Sequence, residues 1–263
     1  MANAQGQSTK MSGTQSVARA VLLIRSLAAR GKTGWRLVDL AEHCHLDKGT
    51  AHRILSYLVQ ERFVRQRTAD RHYLPGPMLF ELGFALQSRA EFVSACNEPL
   101  QRLARRAGDI AFLYLRSGDE FVCAKRVGVT STSYAIESGT RRPLILSAGG
   151  MAIITALPAK EAKRIVAQNL QQLPRYDVTG KRNLMKMLKL SYARGYGVNL
   201  NVVSNVSAFA VPIRDSVQSP FASISVAGRL DQYGSVQRAR EVVSLLRQEA
   251  EDLGQKAMKL FRE

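Results

Sequence analysis

The side chains in this sequence that are best suited to chemistry are small, polar or cationic, and they cluster between residues 48 and 57. Arg and Lys pair with phosphate oxygens and guanine edges, and Ser and Thr hydroxyls hydrogen-bond to phosphates or to base edges. The cluster consists of Lys48, Gly49, Thr50, His52, Arg53, Ser56 and Tyr57. These residue types indicate recognition of a polyanion by hydrogen bonds and ion pairs.

The residues between the polar ones predict a helix that holds this cluster on one face. Apolar residues recur there at steps of three and four, which is the spacing of a buried helical stripe. They are Ala51, Ile54, Leu55, Leu58 and Val59. Immediately upstream, Asp47 can accept hydrogen bonds from the first N–H groups of the helix. One face is therefore expected to pack on a core, and the other is free to enter a major groove about 12 Å wide.

A shorter helix is predicted just before this one. Leu37, Leu40 and Ala41 fall on one helical face, and the pattern stops at a polar break around His45. Taken alone, two amphipathic helices joined by a tight turn also fit a solvated helical hairpin in an ordinary domain.

A β-hairpin is predicted downstream, and it favours the nucleic-acid interpretation. Residues 63–67 and 72–74 are β-prone, and the polar residues 68–71 supply a turn. The hairpin carries Arg65, Arg67 and Arg71, which are placed to contact the sugar-phosphate backbone beside the groove.

A third helix is predicted upstream, with Ser16 as its cap. Its predicted apolar stripe consists of Val17, Ala20, Val21, Ile24, Leu27 and Ala28. Three helices followed by a hairpin make a winged helix-turn-helix.

These segments resemble the IclR family of bacterial transcriptional regulators. The recognition helix of that family has the form Lys-Ser-Thr-x-x-Arg-Leu-Leu, and this chain has Lys-Gly-Thr-Ala-His-Arg-Ile-Leu at residues 48–55. Gly49 stands where the family usually has Ser, which puts one side-chain contact to DNA in doubt. Residues 16–27, 37–41 and 73–83 resemble the family's first helix, second helix and exit segment, with Pro75 in place of the usual first Gly. The resemblance continues more weakly to the carboxyl end.

The predicted fold class is α+β, in two domains joined by a linker helix. Residues 1–14 are expected to be a disordered tail, 15–75 the winged helix-turn-helix domain, 76–90 the linker helix and 91–263 an effector-binding and oligomerisation domain. The segment 77–86 is apolar on nearly every side, so we expect a second chain or the following domain to bury it. An ordinary core helix within one subunit is the alternative.

The pattern after residue 91 predicts an antiparallel sheet with helices. The predicted strands are 110–115, 121–127, 132–136, 208–213 and 221–227, and the predicted helices include 148–157, 159–171, 183–194 and a long one from Val236 to Leu260. The domain is similar to the GAF-like α/β effector module of the family.

Residues 147–152, Ser-Ala-Gly-Gly-Met-Ala, resemble a loop and helix start at which the family holds a ligand carboxylate. The resemblance makes Ala148 and Gly149 the candidate amide donors, since the first N–H groups of a helix are unpaired and its dipole end is positive. The further effector-binding positions that it implies are Asn201, Ala208, Ser225 and Ala227. Because these side chains are less polar than is usual in the family, we expect an aromatic or organic acid larger than glyoxylate. The alternatives are that the glycines only make a tight turn and that no ligand binds.

The charge of the chain favours an anionic partner. The formal net charge is +17, divided into +7 for residues 1–90 and +10 for the remainder. The expected partners are double-stranded promoter DNA with a pseudo-palindromic site, a small-molecule effector and a second copy of the chain, as a homodimer or a dimer of dimers. RNA polymerase is a further candidate partner. A nonspecific basic DNA-binding protein without an effector is the alternative function.

Other classes of protein have weaker support in the sequence. Nucleophile-elbow, phosphate-loop and metalloprotease motifs are missing, which argues against an enzyme fused to a winged domain, and no cofactor or metal is expected. Consecutive His43, Cys44 and His45 would point in different directions on a helix, so they do not predict a zinc site. Three cysteines do not make a disulfide framework, and no apolar run is long enough for a membrane span. We expect a cytoplasmic protein.

Overall fold

The computed structural model describes residues 14–107, 110–128, 136–176, 180–200, 206–229 and 235–261. The chain divides into two compact units between Leu86 and Gln87. The predicted tail, apart from Thr14, lies outside the described residues, as do Asn201 and all but the last residue of the predicted strand 132–136.

The first unit begins with a winged helix-turn-helix, residues 14–75, which we call the head. Its elements are α1 (Gln15–Arg30), α2 (Leu37–His43), α3 (Lys48–Gln60), β1 (Val64–Gln66) and β2 (Tyr73–Pro75). Strands β1 and β2 pair antiparallel, and Trp35 adds an isolated bridge to Tyr73. Gly34 precedes it with φ +70°, and a Cβ there would lie 2.8 Å from Tyr73 O. Leu23, Leu27, Leu40 and Leu55 are fully buried at the centre of the head.

The first helix is oriented differently from the prediction. It begins at Gln15 after Thr14, without a side-chain cap, and its buried residues are Leu23, Ser26 and Leu27. Val17 and Val21, which were predicted to face the core, are 63% and 49% exposed. The helix has apolar side chains on two sides, and the side containing Leu23 and Leu27 packs on the other helices.

The linker segment is helical and remains exposed within the described chain. Helix α4 (Pro77–Gly83) is followed by a 3-10 turn, Phe84–Leu86. The exposed fractions of Phe80, Leu82, Phe84 and Leu86 lie between 51% and 72%.

The second unit contains six further helices and six strands in the described residues. The helices are α5 (Gln87–Ala95), α6 (Asn97–Ala107), α7 (Ala148–Ala156), α8 (Ala159–Gln172), α9 (Lys181–Arg194) and α10 (Val236–Leu260). The strands are β3 (Ile110–Ser117), β4 (Glu120–Val127), β5 (Arg141–Pro143), β6 (Gly197–Leu200), β7 (Val206–Arg214) and β8 (Pro220–Arg229).

These strands form one antiparallel sheet in the order β5-β4-β3-β8-β7-β6. One face packs against α6 and α10 through Leu113, Phe209 and Ile224. The other face packs against α7, α8 and α9 through Phe112, Ala210 and Ala227. The predicted α+β class and antiparallel sheet are therefore confirmed, while the short strands β5 and β6 were not predicted.

Candidate DNA-reading face and effector site

The start of α3 is fixed by the predicted cap. Asp47 has an extended backbone, and its Oδ1 accepts a hydrogen bond from Thr50 N at 2.8 Å. Hydrogen bonds from Thr50 lower the pKa of the Asp47 carboxyl below its ordinary value of 3.8. His45, in the turn before it, has a left-handed backbone with φ +53°. This turn and cap set where the polar face of α3 begins.

The polar face of α3 is directed away from the core of the head, as predicted. Six predicted residues are exposed, and Thr50 is half-buried. The exposed residues are Lys48, Gly49, His52, Arg53, Ser56 and Tyr57. On the opposite face, Ala51 and Leu55 are fully buried. The Arg53 guanidinium lies 3.5 Å from Thr50 Oγ1, so these two side chains are neighbours at the solvent boundary.

The three arginines of the hairpin differ in their contacts. Arg67 donates to both oxygens of Asp70 at 2.9 and 2.6 Å, and also to the carbonyl oxygens of Lys32 and Thr33. Its pKa is raised, and that of Asp70 is lowered, by this hydrogen-bonded pair. Arg65 and Arg71 are exposed and form no ion pair within the described chain. Arg67 therefore supports the hairpin, while the other two are available to a phosphate.

The His-Cys-His segment has a structural explanation. Cys44 is buried, and its sulfur lies 3.4 Å from Ser26 Oγ. The His43 ring packs on Trp35 with centroids 4.8 Å apart. Across the part of the chain that the structure describes, no three His, Cys, Asp or Glu side chains come together as metal ligands would. All three cysteines are buried free thiols.

The predicted amide donors lie in the first turn of α7, against the sheet. Ser147 is the N-cap, and its Oγ accepts from Gly150 N at 2.9 Å. Ala148 and Gly149 are buried. Ala148 N–H and Gly149 N–H donate no hydrogen bond within the described residues, as expected for the first positions of a helix.

On the sheet face beneath α7, three rows of directly opposed residues form the candidate site. The first row is Asn199, Ala208 and Ala227. The second is Gly197, Ala210 and Ser225, and the third is Pro212, Ser223 and Tyr114. Rows on one face are about 7 Å apart, since alternate residues share a face. The predicted Ala208, Ser225 and Ala227 thus share the face that packs on α7.

The first turn of α7 lies over the second and third rows. A Cβ added to Gly149 would lie 2.2 Å from Tyr114 Cδ2 and 2.8 Å from Ser223 Oγ. A Cβ on Gly197 would lie 2.0 Å from Ala148 O, and one on Gly150 would lie 1.9 Å from Leu144 O. Close packing therefore requires these glycines even without a ligand.

The buried polar groups on this face differ in whether they are paired. Ser225 Oγ donates to Phe209 O at 3.0 Å, so the hydroxyl predicted to contact a ligand is already bonded to the sheet. In contrast, Ser223 Oγ and Asn199 Oδ1 are buried and have no hydrogen-bond partner among the residues that the structure describes. Burying a hydroxyl without a hydrogen bond lowers the stability of the folded protein. Ser223 Oγ is therefore a candidate hydrogen-bonding partner for a ligand. Sequence reasoning missed Ser223, Asn199 and Tyr114, although strand alternation places Ser223 on the same face as Ser225.

A groove with a volume of about 450 Å³ lies elsewhere, on the side of the sheet that packs against α10. Its lining includes Val211, Arg214, Arg247, Gly254 and Met258. It contains none of the residues predicted to bind an effector. We therefore place the candidate effector site by the unpaired groups under α7 and not by the size of this groove.

No helix among the described residues has the length and apolar character needed to cross a bilayer.

A winged head with an exposed cationic helix, joined to an α+β domain with a polar cluster under a helix start, defines a DNA-binding regulator with a sensor domain. Comparison with known families agrees. The helix-turn-helix domain of IclR matches residues 16–68, and the carboxyl-terminal domain of the bacterial transcriptional regulator IclR matches residues 84–255. The chain belongs to the IclR family of bacterial transcriptional regulators. It is a DNA-binding transcriptional regulator with a carboxyl-terminal effector-binding domain.

Relatives extend over most of the chain. The glycerol operon regulatory protein of Streptomyces griseus is 28% identical over 220 residues, covering 83% of this chain and 86% of the relative. The transcriptional repressor IclR of Escherichia coli is 23% identical over 244 residues, covering 87% and 88%.

Solved structures share the fold. An IclR family transcriptional regulator from Brucella abortus has a TM-score of 0.72 at 19% identity, covering 97% of this chain and 96% of that one. An IclR homologue from Microbacterium hydrocarbonoxydans, in complex with 4-hydroxybenzoate, has a TM-score of 0.69 at 20% identity, with 92% and 98% covered.

Proposed function

We propose that this protein regulates transcription by placing α3 in the major groove of a pseudo-palindromic promoter site. Lys48, His52 and Arg53 on the exposed face supply contacts to phosphates and base edges, and Thr50 and Ser56 supply short-range hydrogen bonds. Arg65 and Arg71 hold the backbone beside the groove. The observation that carries this proposal is that the cationic face of α3 is exposed while its apolar face is buried.

The effector that we propose is a small organic acid, favoured to be aromatic, bound by the first turn of α7 and by the sheet face next to it. A carboxylate suits Ala148 N–H and Gly149 N–H, because both are unpaired at the positive end of a helix dipole. Ser223 Oγ, which has no hydrogen-bond partner in the described part of the chain, supplies a further hydrogen bond. Apolar Ala208 and Ala227 suit an apolar ligand body. The 4-hydroxybenzoate complex of the Microbacterium homologue supports this ligand class.

Isothermal titration calorimetry with benzoate, 4-hydroxybenzoate and pyruvate tests the effector. We expect the aromatic acids to bind more tightly than pyruvate, and Ser223→Ala to weaken their binding roughly tenfold. The same substitution should raise the stability of the ligand-free protein by about 1 kcal/mol, because it removes an unpaired buried hydroxyl. Urea unfolding measures that difference.

Ser207→Ala is the matched control for this titration. Ser207 Oγ is also buried, with no hydrogen-bond partner among the described residues, but strand alternation directs it to the opposite face of the sheet. It should raise stability without changing ligand affinity. Tight binding of pyruvate with no binding of aromatic acids would reject the proposed ligand class.

The assembly that we propose is a homodimer or a dimer of dimers in the cytoplasm. The exposed apolar side chains of α4 and the turn after it are the observation that supports a second copy. An effector that binds one arrangement of the assembly better than another would change operator affinity. RNA polymerase is a further partner in this proposal, and catalysis has no part in it.

A further inference from the structure

Helix α9, in the second unit, has an unusually basic exposed face. Five of its fourteen residues are Lys or Arg, none is Asp or Glu, and all five cations are exposed. They are Lys181, Arg182, Lys186, Lys189 and Arg194. The sequence contains no acidic residue between Asp177 and Asp215. Residues 178–214 therefore supply no carboxylate that could neutralise this face.

The basic face has no ion-pair partners within the described chain. Elsewhere arginines find carboxylates, as Arg102 does with Glu249 and Arg164 with Asp119. None of the α9 cations has such a pair. These unpaired cations on one helix therefore create a positive potential that an anionic partner would offset.

The positions of these cations do not favour the helix itself. Lys181 and Arg182 lie in the first turn, where the helix dipole already places positive charge. Arg182, Lys186 and Lys189 follow steps of four and three residues, so like charges are neighbours along one stripe and repel each other. Helix stability does not explain this arrangement, whereas binding of an anion does.

The side of α9 opposite the basic face is buried in the second unit. Leu184, Leu188 and Ser191 on the inner side of α9 are buried. Ser191 Oγ donates to Met187 O and accepts from Val198 N, which joins the helix to β6. The exposed stripe from Arg182 to Lys189 is consequently presented in one orientation, over a length of roughly 10 Å.

The composition of α9 matches that of helices in the head. Among the described α-helices that contain Lys or Arg, only α1, α3 and α9 lack an acidic residue. Tyr192, which is 50% exposed, follows the basic stripe on α9, as Tyr57 follows Arg53 on α3. Duplex DNA carries one negative charge per roughly 1.7 Å of its axis, so a stripe of this length faces several phosphates.

We propose that the basic face of α9 binds the phosphate backbone of duplex DNA and gives the protein a second, sequence-independent DNA contact outside its head. This inference rests on the proposed function, because it takes as partner the polyanion that the head recognises. An acidic protein surface would satisfy the same charges, and the experiment below separates the two.

The test measures binding of the full-length protein to a random-sequence 40-base-pair duplex over a range of salt concentrations. The variant carries Arg182→Gln, Lys186→Gln and Lys189→Gln. The matched control carries Arg240→Gln, Lys256→Gln and Lys259→Gln, which removes three exposed cations from α10 and lowers the net charge equally. Each lost phosphate contact should reduce the slope of log affinity against log salt by about 0.9.

We expect the α9 variant to lose roughly two to three units of slope and at least tenfold in affinity at low salt, while the control changes by less than twofold. Circular dichroism should show both variants folded. Equal slopes for the α9 variant, the control and the wild type would overturn the inference and favour an acidic protein partner. Failure of the wild type to bind any duplex would instead overturn the proposed function, and the inference with it.

Discussion

Asp47, which caps α3, and Arg53, six residues later in the helix, have different tasks. Asp47 determines where the helix begins, because its carboxylate accepts from Thr50 N. Arg53 is exposed one turn later, beside Thr50 Oγ1. A residue that fixes the backbone and a residue that contacts a partner should respond differently to substitution, and two measurements distinguish them.

Arg53→Ala should weaken binding to every duplex roughly tenfold and reduce the salt slope by about one unit, since a phosphate contact is independent of sequence. Fluorescence anisotropy with labelled DNA at several salt concentrations measures both quantities. Arg240→Ala, an exposed arginine of α10 without an ion pair within the described chain, is the control and should have little effect. Unchanged binding by Arg53→Ala would place the reading surface elsewhere.

The cap at Asp47 should make the stability of the head depend on pH. Its pKa is lowered in the folded protein, so its stabilisation is fully present above the ordinary value of 3.8 and is lost as the pH falls through the lowered folded value. Asp47→Asn keeps a capping oxygen but does not titrate in this range. Urea midpoints of the two proteins should therefore converge as the pH is lowered from 7 to about 3. A constant difference would contradict the cap as the titrating group.

At the scale of elements, hydrophobic periodicity predicted most helices and the central strands. It failed where a helix has two apolar sides and either could face the core. Helix α1 has apolar side chains on two sides, and Leu23 and Leu27 face the core instead of Val17 and Val21. Periodicity cannot distinguish a stripe that packs internally from one that stays exposed. Strand β6 has four residues and two of its first three are Gly and Asn, so its sequence gave little strand signal.

The candidate effector site could be predicted only in outline. The helix start at Ala148 was visible as a resemblance in sequence, because glycines and a capping Ser follow a recognisable order. Ser223 was not visible, because its importance depends on the absence of a bonding partner, and that depends on the packing of α7 over Tyr114. Ser225 carries the same chemistry two residues later, yet its hydroxyl is bonded to Phe209 O.

The linker element carries a prediction about assembly. Phe80 and Phe84 are 72% and 68% exposed, and the centroids of their rings lie 4.8 Å apart. Replacing both with Ser should shift the protein toward the monomer, because the apolar area that a second copy would bury is lost. Sedimentation velocity over a range of concentrations measures this shift.

Val217→Ser is the control for the linker substitutions, since Val217 is 79% exposed in the loop between β7 and β8. It should leave the association state unchanged. An undiminished dimer in the Phe80→Ser, Phe84→Ser protein would show that another surface holds the subunits together.

For the whole molecule, the net charge of +17 attracts DNA without selecting a sequence, and selection must come from a small set of exposed side chains. Both units contribute cations. On α3 the cations lie beside exposed Ser56 and half-buried Thr50, whose hydroxyls can discriminate between bases. The central claim is therefore that the exposed face of α3 gives this regulator its sequence preference.

Selection of bound duplexes from a random library, followed by sequencing, tests that claim most directly. The account predicts enrichment of a pseudo-palindrome whose half-sites are separated by roughly one helical turn or a multiple of it. It also predicts that Thr50→Ala changes the preferred bases while retaining most of the total affinity. Enrichment of no sequence by the wild type, or an identical enriched site for the wild type and for Thr50→Ala, would contradict the account.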